Sequence, residues 1–177
     1  FYDRLQMIQA AHMPRFIEDA DCKLTLYRNC RNTENIATTS LRPVTVRKPL
    51  LLEGCVKGTP AKLRFCASDE SVLAQIDASI DELKADGYSD IVILTCKTEN
   101  GSVLADKCKD GIYRNKYRFT TCRKFKGLEA DAVILIDVDG STFNSKNVLI
   151  FYVGTSRARL KLDVITKLSD EDCVDIL

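Results

Sequence analysis

The residues of this 177-residue chain best suited to chemistry fall between Thr121 and Arg159. Thr121-Cys122-Arg123-Lys124-Phe125-Lys126-Gly127-Leu128-Glu129 is a basic turn that carries a glycine and ends on a carboxylate. The apolar run Ala132–Ile136 follows, closed by Asp137, and Tyr152-Val153-Gly154-Thr155-Ser156-Arg157-Ala158-Arg159 then delivers two arginines. A guanidinium donates two parallel hydrogen bonds to a phosphate, so this pattern around a buried strand suits a phosphate site in an alternating α/β fold. Upstream, in Arg28-Asn29-Cys30-Arg31-Asn32-Thr33, Thr33 is expected to cap a helix through Ile36 and Ala37. That would hold Arg31 at a strand-to-helix turn, where an anion can be met. Arg159 has either a solvated or a structural role, since it need not point the same way as Arg157.

The elements that must position these residues alternate. Leu63–Ala67 has strand pattern, Ser68 or Asp69 can cap a helix, and Val72, Leu73, Ile76, Ile80 and Leu83 share one helical face that Gly87 terminates. Asp90–Thr95 is a continuous apolar run, the pattern of a parallel strand covered on both faces. Strand, helix and strand in this order predict a right-handed crossover. Ser102 can cap a short helix through Leu104 and Cys108 that ends at Gly111, and Tyr117–Thr121 leads as a strand into the central turn. Phe143 before Asn144 has the form of a staple and cap, with Val148 as the packing partner. Val148–Val153 fits helix and strand equally by composition. Leu160–Ile165 alternates as a last strand, and the acidic segment 169–175 is expected to be a terminal turn or helix. Lys23–Tyr27 also alternates as a strand, after a short helix begun by Pro14. Between Arg42 and Lys62, Pro43, Pro49, Pro60, Gly54 and Gly58 predict a connection with one edge strand near Leu50–Leu52. Its basic residues suit either a phosphate-tracking groove or solvated loop charge.

Composition excludes several functions. With 26 Lys+Arg against 25 Asp+Glu, net charge gives no argument for a nucleic-acid or membrane partner, so any such contact must be local. No apolar run approaches the ~20 residues of a membrane span, and a cytoplasmic location is expected. The eight cysteines contain no Cys-x-x-Cys pair and His12 is the only histidine, which predicts reduced thiols, no metal site and no nucleophilic triad.

The two flanking segments resemble the last two motifs of the UvrD/PcrA-type superfamily 1 helicases, Thr-x-His-x-x-Lys-Gly-Leu-Glu and Tyr-Val-Ala-x-Thr-Arg-Ala. Asp3-x-x-Gln6-x-Ile8 resembles the motif that ends the first RecA-like domain of that family, with Tyr2 for its glycine and Gln9 for its closing tyrosine. Asn29-Cys30-Arg31-Asn32-Thr33 is similar to Asn-Tyr-Arg-Ser-Thr. The resemblance implies a RecA-like, mostly parallel α/β sheet with helices on both faces. Residues 1–20 would be the tail of a first RecA-like domain and 21–177 the second, without the large accessory domain of classical members. It implies ATP with magnesium, single-stranded DNA and the N-terminal RecA-like domain as partners. Arg157 and Arg31 would meet the terminal phosphate, Gln6 would sense it, Glu129 would hold the ribose, and Lys126 and Gly127 would lie close to the nucleotide. Thr121 and Arg123, which replaces the family histidine, would face the strand. No Gly-x-x-x-x-Gly-Lys-Ser/Thr occurs, so the phosphate loop and magnesium ligands are expected outside this chain. The Lys-Gly-Leu-Glu form resembles that of the branch which moves 3′ to 5′, and the resemblance implies that polarity. A non-catalytic helicase-like module, or an ATP-driven remodeller of proteins such as RNA polymerase on nucleic acid, are the alternatives.

Overall fold

The computed structural model describes residues 4–6, 15–22, 28–45, 49–109, 118–145 and 147–176. The strand expected over Lys23–Tyr27 and residues Tyr2, Asp3, Ile8, Gln9, His12, Pro14, Gly111 and Tyr117 lie outside these. The described elements run α1 (Arg15–Glu18), β1 (Arg28–Asn29), α2 (Glu34–Leu41), β2 (Leu50–Leu51), β3 (Lys62–Phe65) and α3 (Asp69–Ala85). They continue with β4 (Ile91–Thr95), α4 (Ala105–Lys109), β5 (Phe119–Thr121), β6 (Ala130–Val138), α5 (Val148–Thr155), β7 (Ala158–Thr166) and α6 (Asp170–Ile176).

Five strands form one parallel sheet in the order β3-β7-β6-β4-β5, and β1 pairs with β2, also in parallel, as a small separate ribbon. Every described strand of the main sheet therefore points the same way, and the expected α/β architecture holds. Side chains alternate across β6: Ala132, Ile134 and Ile136 pack with Val72, Ile76, Ile80 and Leu83 of α3, while Val133 and Leu135 pack with Ile36 of α2 and Ile150 and Phe151 of α5. Helices thus cover both faces, as an apolar central strand demands. The α3 start is set locally, because Ser68 Oγ accepts from Ser71 N–H at 3.2 Å and Ser71 Oγ accepts from Ser68 N–H at 3.1 Å.

Two local expectations need correction. Thr33 occupies the cap position of α2, but its side chain makes no cap bond; Glu34 and Asn35 N–H groups donate instead to the carbonyls of Val56 and Lys57. Gly58, at φ +70°, permits this crossing, since a Cβ there would lie 2.5 Å from Thr33 Cβ. Phe143 packs on Phe151, with ring centroids 5.2 Å apart, and the cap of α5 falls at Asn147 rather than Asn144. β7 is the strand expected over Leu160–Ile165, and its Asp163 is turned inward. Asp163 is 2% exposed and receives Nε and Nη2 of Arg64 at 3.1 and 2.9 Å.

Candidate nucleotide site

The ladder divides the candidate residues between opposite edges of the sheet. Thr121 is level with Thr95, and Thr95 with Ile136, at the carboxyl ends of the strands. Ala130 is level with Ala158, which puts Glu129 and Arg157 together at the amino edge. One segment, residues 122–129, connects the two. It crosses the face of the sheet with Cys122 and Phe125 buried in the core, and Gly127 supplies the left-handed φ of +90° that reverses it before β6. A Cβ at Gly127 would meet nothing within 4 Å, so the glycine is there for its backbone angle.

At the amino edge three distant segments converge. Asn29 Oδ1 accepts from the N–H groups of Arg31 and Asn32 at 3.0 and 3.4 Å, an Asx turn that presents Arg31 outward. Arg31 Nε forms an ion pair with Glu129 Oε1, both side chains being more than a third exposed. Arg157 is 1% exposed: Nε donates to Val153 O at 3.0 Å, Nη2 to Ser156 Oγ at 2.9 Å and Nη1 to Leu128 O at 3.5 Å. The Arg157 carbonyl accepts from Ala130 N–H at 3.1 Å, so both ends of this residue are tied to the segment that carries Glu129. Asn32, buried at 4%, donates to the carbonyls of Ser156 and Ala158 at 3.0 and 2.7 Å.

Arg31, Glu129 and Arg157 are therefore brought to one edge, with Lys126 and Gly127 exposed on the preceding turn. Arg159 turns aside to pair with Asp131 through Nη2 at 2.5 Å. Gln6 lies in a short 3-10 turn, Arg4–Gln6, whose Leu5 is buried against Leu41, Val44, Tyr152 and Val153. The turn is thus held beside α5, the helix that leads into Arg157.

Thr121 and Arg123 sit at the other edge. Thr121 is buried, and its hydroxyl accepts from Lys124 N–H at 3.2 Å, so it shapes the turn that projects the half-buried Arg123. Nearby, Asp137 adopts φ +59°, and its carboxylate accepts from Thr95 and Ser102 hydroxyls, both at 2.6 Å, and from Val103 N–H at 3.1 Å. Lys97 pairs with Asp139 at 2.9 Å, which raises the lysine above its ordinary pKa. Burial pushes the Asp139 carboxyl up, but hydrogen bonds from Ser141 and Lys97 outweigh it and hold it below the ordinary range.

Sequence spacing gave no sign of the Asn32 bridge, although the Asn29-x-x-Asn32 pattern is a signal for a side-chain turn. It also missed the contact of Gly154 with the core: a Cβ there would lie 2.7 Å from both Cys122 Sγ and Leu135 Cδ1. Gly154 thereby lets α5 approach the sheet and the 122–129 segment closely.

Residues 116–165, which hold the segment from β5 through most of β7, match the family model of the UvrD-like helicase C-terminal domain. Among solved structures, the C-terminal domain of a possible DNA helicase from Lactobacillus plantarum WCFS1 superposes with a TM-score of 0.59. The two are 15% identical, over 77% of this chain and 86% of that one, which establishes shared fold. No curated protein matches the chain. Motif sequence and sheet topology thus converge on one resemblance, to the C-terminal domain of UvrD-like helicases.

Proposed function

We propose that residues 21–177 form the second motor domain of an ATP-dependent DNA helicase or translocase, preceded in residues 1–20 by the tail of the first. The observation that carries this is the convergence of Arg31, Glu129 and Arg157 at one edge of the sheet from three separate segments between residues 31 and 157. Two guanidinium groups and a carboxylate suit a nucleoside triphosphate, the arginines meeting the terminal phosphate and Glu129 the ribose hydroxyls.

Arg31 stands at the surface in its pair with Glu129, and an incoming nucleotide competes for both partners. Arg157 reaches a phosphate only when its guanidinium leaves the carbonyls of Val153 and Leu128. Closure of a phosphate-loop domain over this edge drives that exchange, because a phosphate oxygen is a stronger acceptor than a carbonyl. Gln6, beside α5, relays the phosphate's presence to the carboxyl edge, where Arg123 meets the phosphates of a single strand and Thr121 shapes its turn. Magnesium supplies charge neutralisation between the phosphates when bound. Its ligands are assigned to the phosphate-loop domain, whose Gly-x-x-x-x-Gly-Lys-Ser/Thr hydroxyl supplies one.

The test is ATP turnover, with and without single-stranded DNA, by the protein that pairs this chain with a phosphate-loop domain. Arg157→Ala is expected to lower kcat by ~10³ while nucleotide affinity changes little. Arg123→Ala should instead weaken strand binding and flatten its log-log salt slope by about one or less. Strand-independent turnover, or normal turnover in Arg157→Ala, would contradict the proposal.

A further inference from the structure

We infer that Asn32 is a positioning residue of the nucleotide site, its buried carboxamide yoking the turn that carries Arg31 to the turn that carries Arg157. The inference rests on the proposed role of the two arginines as phosphate ligands. Asn32 adjoins Arg31 in the chain, and the carbonyls to which it donates, Ser156 O and Ala158 O, flank Arg157 on either side. Its Oδ1 accepts from Asn29 Nδ2 at 3.0 Å, and Asn29 in turn holds the backbone N–H of Arg31. One side chain therefore sets the separation of two backbone segments, each bearing an arginine.

The chemistry selects asparagine. Both carbonyls need donors, which orients the amide, and a primary amide offers two N–H groups on one nitrogen with an acceptor opposite. Aspartate has the shape but presents oxygen to oxygen. Serine offers one donor on a shorter stem, and glutamine is one methylene too long for a 4% exposed pocket. Two arginines acting on one phosphoryl group need their spacing held to a fraction of an ångström, and a displacement of about 1 Å can cost on the order of a hundredfold in rate.

In the protein that pairs this chain with a phosphate-loop domain, Asn32→Ala is expected to lower kcat for ATP by about ten- to a hundredfold with KM within about twofold. Asn32→Asp should lose more and Asn32→Ser less. Ser79→Ala is the control for bare destabilisation: Ser79 is buried on the opposite face of the sheet, where its hydroxyl donates to Asp163 at 2.6 Å. It should lower Tm and leave kcat unchanged. If Asn32→Ala behaves like Ser79→Ala, with Tm reduced and kcat normal, Asn32 only holds the fold and the inference is overturned. Should Asn32→Ala fail to fold, Asn32→Ser decides by the same split between kcat and Tm. Normal kcat in Arg31→Ala and Arg157→Ala would overturn the functional proposal and this inference together. Loss in those two beside normal kcat in Asn32→Ala would overturn the inference alone.

Discussion

Two arginine–carboxylate pairs in this chain use the same chemistry at opposite levels of burial. Arg64 and Asp163 are 7% and 2% exposed at the side chain, and the cluster is completed by Glu82, Gln75 and Ser79. Arg31 and Glu129 are 40% and 34% exposed. Water has been removed from the first pair, so separating its members leaves a charge in a medium that cannot solvate it. The second pair keeps water as an alternative partner and is worth little in itself. The difference separates a clamp from a site: Arg64 ties edge strand β3 to β7 and α3, whereas Arg31 and Glu129 can each be surrendered to a ligand at small cost.

The largest effect should come from breaking the buried pair. Asp163→Ala is expected to cost ~3 kcal/mol or more in urea denaturation, while Glu129→Ala changes stability by no more than ~1 kcal/mol. Equal losses at the two positions would erase the distinction. A smaller effect is expected where α5 meets the core. Gly154→Ala overpacks against Cys122 Sγ and Leu135 Cδ1 and should cost ~1–3 kcal/mol, with Cys122→Ala recovering part of it in the double variant.

Smaller again is the pH dependence. Hydrogen bonds from Arg64 first and then Lys62 hold the Glu82 carboxyl down at about 2, against an ordinary 4.5. A carboxyl depressed by folding contributes stability that is fully present above its unfolded pKa and lost as pH falls toward its folded value. Unfolding midpoints should therefore hold above pH 4.5 and decline between 4.5 and about 2, and Glu82→Gln should reduce that decline. Because the Glu82 side chain is half exposed, salt should weaken the effect. An unaltered acid profile in Glu82→Gln would assign the decline to other groups.

What was legible in the sequence was local. The apolar period and serine cap of α3 stand within one helical turn of each other, and the Ala132–Ile136 run declares a buried parallel strand by itself. The resemblance named Arg31, Glu129 and Arg157, which the fold does gather at one edge. Illegible were the contacts made across the chain. Asn32 finds its carbonyls 124 and 126 positions away, and Arg64 finds Asp163 at a separation of 99. No periodicity records such pairings. The alternation of Leu160–Ile165 marked its strand but not the partner of Asp163, because a polar residue facing a buried arginine has the same pattern as one facing water. Thr33 misled for a related reason: the first N–H groups of α2, on Glu34 and Asn35, donate to the carbonyls of Val56 and Lys57, in a loop that composition marked only as a connection.

The central claim is that Arg31 and Arg157 act on one phosphoryl group, and a double-mutant cycle on ATP turnover measures it directly. In the protein that pairs this chain with a phosphate-loop domain, Arg31→Ala and Arg157→Ala should each lower kcat far more than nucleotide affinity. The double variant should lose less than the product of the two single losses, since each removes charge from the same transition state. Strictly multiplicative losses, or near-normal turnover in either single variant, would contradict a shared site.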